Sequence, residues 1–304
     1  MKLLLATDGS VFSAAATQAV IAEVKRDDAD VRAMHVVDTR EGRLPEASAL
    51  DENVISAPAR RRSAEALVEA TAELLRAQGF KATTVLVWGD PRSQIIEAAK
   101  EWGAELIVMG SHGQTHLERF LMGSVSEAVA HYAPCSVEIV RAPTDGQAAK
   151  GFRILLPVDD SDVSDAAVDA VIAGLRSEGA EVKLMRVVDP FPLAEALADI
   201  HRRDSHEYPD LAGAILKLRE RATRKLEKTA EKLEAFGFKV TQTIVEEGDL
   251  RDNILDCASR WGAGLIVVGS HGPKAAKRSL IGSVSEAVSR YAACSTEIVR
   301  LQDR

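Results

Sequence analysis

Cysteine is scarce in this sequence: Cys135, Cys257 and Cys294 are the three among 304 residues, and no CxxC pair occurs. That spacing offers no disulfide framework, and the thiols are expected to be the reduced ones of a cytosolic protein. Long apolar runs are lacking too. None approaches the roughly 18 residues of a membrane span, and the opening MKLLLA meets Asp8 too soon to form the apolar stretch of a secretory signal. A cytoplasmic protein with no membrane partner is the expectation. Positive charge is in deficit, 38 Lys and Arg against 46 Asp and Glu for a net charge of -8. This argues against a nucleic-acid partner, because phosphate backbones reward clustered Lys and Arg. Any anionic ligand has to be held by local geometry. Three reaction motifs are missing as well: the phosphate-loop GxxxxGK[ST], the nucleophile elbow GxSxG, and a dinucleotide GxGxxG after the first strand. Nothing in the sequence supplies a positioned base for fast phosphoryl transfer, so no catalytic residue is assigned.

What is present is one unit written twice. MKLLLATDGS returns as FRILLPVDDS, which places Asp159 151 residues after Asp8, and MHVVD returns as MRVVD at the same offset. The offset grows to 158 at Gly79 and Gly237, and to 159 at Trp102 and Trp261. Residues 102–141 and 261–300 then match at 27 of 40 positions without a gap. Each copy has the length of one ordinary domain. The expected division is a first domain over 1–143, a linker over 144–150 inside the Pro, Gly and polar stretch PTDGQAAKG, and a second domain over 151–304.

Within each copy short aliphatic runs alternate with segments of helical spacing: KLLLAT, SAAATQAVIAEV, VRAMHVV, SAEALVEATAELLRAQG, TTVLVW, PRSQIIEAAKEWG, LIVMG, SVSEAVAHY, SVEIVR. The near-continuous runs Leu3–Leu5 and 106–109 suit strands covered on both faces. The fold class is therefore α/β, a doubly wound parallel sheet in each half. Helix ends agree: Asp90 before Pro91, and Asp249 in the second copy, read as N-caps, and Gly79 and Gly237 as helix stops.

The candidate site is a repeated glycine frame: Gly110, Gly113, Gly123-Ser124, and again Gly269, Gly272, Gly282-Ser283. Ligands of doubly wound sheets sit beyond the carboxyl ends of the strands. A backbone without Cβ can turn there and bring N–H groups to a phosphate, and the helix opened by Ser124 would favour an anion at its N-terminus. A structural alternative stands beside this one. Ser124 with Glu127 and Ser283 with Glu286 have the S-x-x-E spacing of a capping box, which needs no ligand. Asp8 and Asp159, ending the first strand of each copy, could accept from ribose hydroxyls, hold Mg²⁺ beside phosphates, or cap the next helix with Ser10 or Ser13 as rivals. His112 and His271 are either ligand contacts or solvated turn residues. Arg119 and Arg278 could reach terminal phosphates, and Lys274 and Lys277 add positive charge to the second loop alone.

Taken together, the strand-one Asp, the V-V-D ending of strand two and the full Gly/Gly/Gly-Ser spacing resemble a tandem universal stress protein, with the frame of the ATP-binding members in both halves. The resemblance implies two Rossmann-like five-stranded sheets of order 3-2-1-4-5, similar to adenine nucleotide alpha hydrolases, and ATP as ligand with Mg²⁺ and slow hydrolysis as further possibilities. It places Asp8 and Asp159 at the ribose, Val36 and Val187 at the adenine, and Met109 or Val268 with Gly110 and Gly269 around base and ribose. His112, Gly113, Gly123, Ser124, Val125 and Ser126 would surround the phosphates, as would His271, Gly272, Gly282, Ser283, Val284 and Ser285. It also implies a nucleotide-dependent regulator of the stress response with protein partners. Final strands such as SVEIVR and STEIVR would pair as an intrachain pseudo-dimer or in a homodimer, although their alternation also fits an ordinary edge strand. Asp160 departs from the pattern, replacing the glycine found as Gly9 and adding negative charge near the second site. The insertion at 190–210, with His201, Arg202, Arg203 and His206, reads as a solvated loop, and no metal site is assigned.

Overall fold

The side chains of Leu3, Leu4 and Leu5 are all fully buried, and the reason is the position of their strand. In the computed structural model, which describes residues 1–27, 29–39, 57–113, 122–142, 152–188, 211–271 and 281–301, β1 (Lys2–Ala6) is flanked by strands on both edges and covered by helices on both faces. Alternation along it divides the core in two. Leu3 and Leu5 pack with Ala16, Val20 and Leu75, whereas Leu4 and Ala6 pack with Ile95, Ala99 and Val129. Burying each such Leu contributes about 1.5–3 kcal/mol.

The first half runs β1, α1 (Val11–Glu23), β2 (Asp30–Asp38), α2 (Ala57–Ala77), β3 (Lys81–Gly89), α3 (Pro91–Trp102), β4 (Leu106–Gly110), α4 (Ser124–Tyr132) and β5 (Ser136–Val140). The second repeats it as β6 (Phe152–Pro157), α5 (Asp162–Gly174), β7 (Ala180–Val188), α6 (Leu211–Ala235), β8 (Lys239–Glu247), α7 (Leu250–Trp261), β9 (Leu265–Gly269), α8 (Ser283–Tyr291) and β10 (Ser295–Val299). Within each half the strands are parallel and ordered 3-2-1-4-5, as expected. The helix ends follow the sequence. Asp90 and Asp249 cap α3 and α7 by accepting from Arg92 N and from Arg251 and Asp252 N. The chain then leaves both helices through a left-handed glycine, Gly103 at φ 67° and Gly262 at φ 70°, where a Cβ would cost strain.

The two sheets are continuous. β5 and β10 pair antiparallel, Glu138 opposite Glu297, to make ten strands in the order β3-β2-β1-β4-β5-β10-β9-β6-β7-β8. The final strands thus join within one chain, and the edge-strand alternative fails. Every residue of both strands is buried, including the glutamates that alternation would have turned to water. Two guanidiniums cross the seam reciprocally. Arg141 donates to the Ser289 and Arg290 carbonyls ending α8, and Arg300 to the Ala130 and His131 carbonyls ending α4. On the other face the ends of α1 and α5 meet, Arg176 N donating to Glu23 O and Lys25 N to Gly174 O. Among the described residues no helix is long and apolar enough to cross a membrane.

Candidate functional site

The carboxyl ends of β1 and β4 lie side by side while their crossovers leave in opposite directions, which opens a crevice. A cavity of about 680 Å³ fills it, within the range of small-molecule sites. All ten first-half residues that the resemblance assigns to a ligand line it. Asp8 comes from the loop after β1, Val36 from β2, and Met109 and Gly110 from β4. His112 and Gly113 follow β4, and Gly123, Ser124, Val125 and Ser126 form the start of α4. The sequence reading missed Thr7, His35, Asp38, Arg60, Ser63 and Leu67, which also line it. The last three sit on α2, and no local pattern could have marked them, because the crossover from β2 decides which face of α2 covers the crevice.

Close packing explains Gly110, and the tip of the Asp8 carboxylate crowds Gly113. A Cβ at Gly110 would lie 2.7 Å from the Phe12 backbone carbon, and one at Gly113 2.9 Å from Asp8 Oδ2. The first contact has no flexible side chain that could give way. Gly110→Ala is therefore expected to lose about 2 kcal/mol of stability, read as a lowered urea midpoint. A variant as stable as the parent would show that α1 shifts freely.

The tie between the two loops is made by Ser111. Its carbonyl accepts from Gly123 N at 2.8 Å and lies 2.8 Å from Ser126 Oγ. Ser270, Gly282 and Ser285 repeat the arrangement at 2.7 and 3.0 Å. This tie sets Gly123 and Gly282 as the caps, so the capping boxes of the structural alternative do not form. Ser124 and Ser283 are already the first helical residues, and neither helix has a side-chain cap bond. Ser124 Oγ instead accepts from Arg92 on α3 at 3.1 Å. The amides of Ser124, Val125 and Ser126 consequently face the cavity end of α4 with no acceptor inside the helix. Asp8 is not the cap of α1 either. Ser10 holds that place, accepting from Ser13 N, while Asp8 Oδ1 accepts from Ser10 N. Asp159 and Ser161 do the same for α5. His112 is buried, its Nδ1 3.1 Å from Ser111 Oγ and its ring against Phe12, so it is no solvated turn residue.

In the second half Asp159, Val187, Val268, Gly269, His271, Gly282, Ser283, Val284 and Ser285 occupy the corresponding strand ends and helix start. Burial, with the Arg300 charge, lowers the His271 pKa and favours its neutral form. Asp160 does not stand as uncompensated negative charge. Its Oδ2 lies 2.8 Å from Arg186 and 3.4 Å from Arg221. The cysteines are free thiols, and burial pushes Cys135 and Cys294 up to about 12. Among the described residues no group of three or more His, Cys, Asp or Glu is placed to hold a metal ion. Gly272, Arg119, Arg278, Lys274, Lys277, the 144–150 linker and the 190–210 insertion lie outside the described residues.

Comparison with known proteins agrees with this duplicated architecture. The model of the universal stress protein family matches residues 1–141 and again 152–300. A universal stress protein of Methanocaldococcus jannaschii is 37% identical over 143 residues, covering 47% of this chain and 82% of the relative. One of Bacillus subtilis is 34% identical over 147 residues, covering 46% and 98%. A crystal structure of a universal stress protein from Archaeoglobus fulgidus superposes over 99% of this chain and 97% of its own with a TM-score of 0.61 at 22% identity, a likeness of fold.

Proposed function

The chain belongs to the universal stress protein family in both of its halves, and from that premise we propose that its first-half cleft binds an adenine nucleotide, ATP foremost, and that the protein works as a nucleotide-dependent regulator. The observation that carries this reading is the polarity of that cavity. At one end stand the amides of Ser124, Val125 and Ser126 at a helix N-terminus, suited to phosphates in a protein whose net charge offers no general attraction for them. Beside them Asp8 is suited to ribose hydroxyls, and Val36, Met109 and Ile95 supply an apolar wall for a base.

Mg²⁺ commonly takes one or two carboxylates together with phosphate oxygens. Asp8 is the residue that would serve such an ion, and the ion would offset phosphate charge. Hydrolysis is slow at most, since among the described residues no lysine lines the cavity and the sequence has no phosphate loop. Residues 1–143 and 151–304 are the two functional units, the setting is cytoplasmic, and occupancy is read by protein partners, with a homodimer of chains as a further assembly.

The purified protein should release an adenine nucleotide on denaturation, identified by mass spectrometry, and should bind ATP in titration calorimetry. Asp8→Ala and Gly123→Ala should each weaken binding tenfold or more, the first by loss of hydrogen bonds donated to a charged acceptor, worth about 1.5–3 kcal/mol. The second puts a Cβ 3.1 Å from Ser111 O. Wild-type protein that neither retains nor binds nucleotide would leave a scaffold whose glycines serve turns alone.

A further inference from the structure

Matching the two halves by register sets three positions of the first half, two of which line its cleft, against three of the second half. Ala6 pairs with Met34 as Pro157 pairs with Met185, so His35 corresponds to Arg186 and Gly9 to Asp160. Counting back from Gly79 and Gly237, Ser63 corresponds to Arg221. In the first half His35 and Ser63 line the cavity, and Gly9 turns beside Asp8 with φ 80°. His35 Nδ1 rests 2.7 Å from Thr7 O. In the second half Arg186 reaches the equivalent Val158 carbonyl with one nitrogen at 3.4 Å, and with the other holds Asp160 at 2.8 Å. Arg221, arriving from α6, takes the same carboxylate oxygen at 3.4 Å. No described residue other than glycine has positive φ, so the loop at Asp160 follows a different path from that at Gly9.

The difference continues along the helix pair. Asp165 pairs with Lys225 and Asp169 with Lys232, tying α5 to α6, where the first half has Ala14, Leu67, Gln18 and Leu74. Isolated surface pairs contribute little. Here the Arg186 side chain is only 17% exposed and shares its carboxylate with a second guanidinium. A ligand entering that passage would have to part a partly buried pair and leave its charges uncompensated.

We propose that Asp160, held between Arg186 and Arg221, latches the second cleft shut, so that each chain takes up one nucleotide, in its first half. The proposal rests on the reading of the first cleft as a nucleotide site. The test is ATP titration by calorimetry on the full chain, comparing wild type with Asp160→Gly, which restores the first-half residue, and with Arg221→Ser, an exposed change with little risk to folding. Wild type should bind one ATP per chain, and that event should vanish in Asp8→Ala. Asp160→Gly should reveal a second event at least tenfold tighter than any seen in wild type, and Arg221→Ser should move in the same direction by a smaller factor. Two wild-type events of similar affinity, or a single event persisting in both second-half variants, would overturn the latch and leave the first site standing. Absence of binding in every protein would instead overturn the nucleotide reading, and the latch with it.

Discussion

Glu138→Gln should make this protein more stable at pH 8, by more than about 1.4 kcal/mol, the worth of a tenfold change in proton affinity, because the folded chain must hold a proton on this carboxyl that the unfolded chain gives up. Glu138 and Glu297 face one another across the seam at 2% and 5% exposure, and Glu23 lies beside them at the end of α1. Among the described residues none of the three is in an ion pair, and Glu138 Oε1 and Glu23 Oε2 are buried without a hydrogen-bond partner. Burial pushes Glu297 up to about 7. Burial together with the charge of Glu297 pushes Glu23 up to about 8, and burial with both neighbours raises Glu138 well above the ordinary carboxylate range.

Below pH 4.5 folded and unfolded chains are both protonated, and the cluster costs nothing. As pH rises from there the unfolded chain loses these protons first, so the folded chain holds more of them and stability falls through the values of Glu297, about 7, and Glu23, about 8. A carboxyl raised from 4.5 to about 7 accounts for about 3 kcal/mol of that fall. Urea midpoints measured from pH 5 to 9 should show this decline in wild type and a shallower one in the Gln variant. A wild-type profile that is flat or climbs over the interval would mean that the three carboxyls are ionised in the folded protein.

Arg300→Ala should cost about 3 kcal/mol, through loss of two charge-assisted hydrogen bonds and exposure of carbonyls at a packed helix end. Arg300 is 9% exposed and reaches Ala130 O at 2.6 Å and His131 O at 2.9 Å. These are orphan carbonyls of α4 that the helix itself cannot satisfy, and the positive charge also suits the negative end of the helix dipole. Burial lowers the Arg300 pKa, the mark of a guanidinium that gives up water for these contacts. Arg300→Lys should recover part of the loss, because both bonds come from one guanidinium nitrogen, Nη2, and an ammonium keeps the charge and several donors on a stem of different reach. Guanidinium unfolding of the three proteins gives the comparison, and an Arg300→Ala variant within 0.5 kcal/mol of wild type, roughly the scatter of surface substitutions, would show that water replaces the guanidinium at no cost.

Both results concern the seam, and the seam is where sequence reasoning was weakest. SVEIVR and STEIVR alternate in the manner of an edge strand, and alternation reports only that successive side chains point to opposite faces. What each face meets depends on a strand some 150 residues away. The capping boxes failed for a related reason. S-x-x-E is a local pattern, but the carbonyl of Ser111, held after another strand, claims the amide of Gly123 and shifts the helix start by one residue. The glycine frame, by contrast, was legible because its demand is local as well as distant. Gly110 has no room for a Cβ against Phe12, and that intolerance is written as the same residue in both copies.

The sequence by itself determined the duplication and the order of strands and helices, since periodicity and spacing are properties of neighbours along the chain, and its resemblance to a known family named the ten first-half residues that meet at one cavity. Only the tertiary structure decided that Arg60, Ser63 and Leu67 complete that cavity, that Glu138 and Glu297 are shut away from water with Glu23 beside them, and that Asp160 is held by Arg186 and Arg221. Each of these depends on which distant surface a side chain is pressed against, and burial and charge pairing exist only once the two surfaces have met.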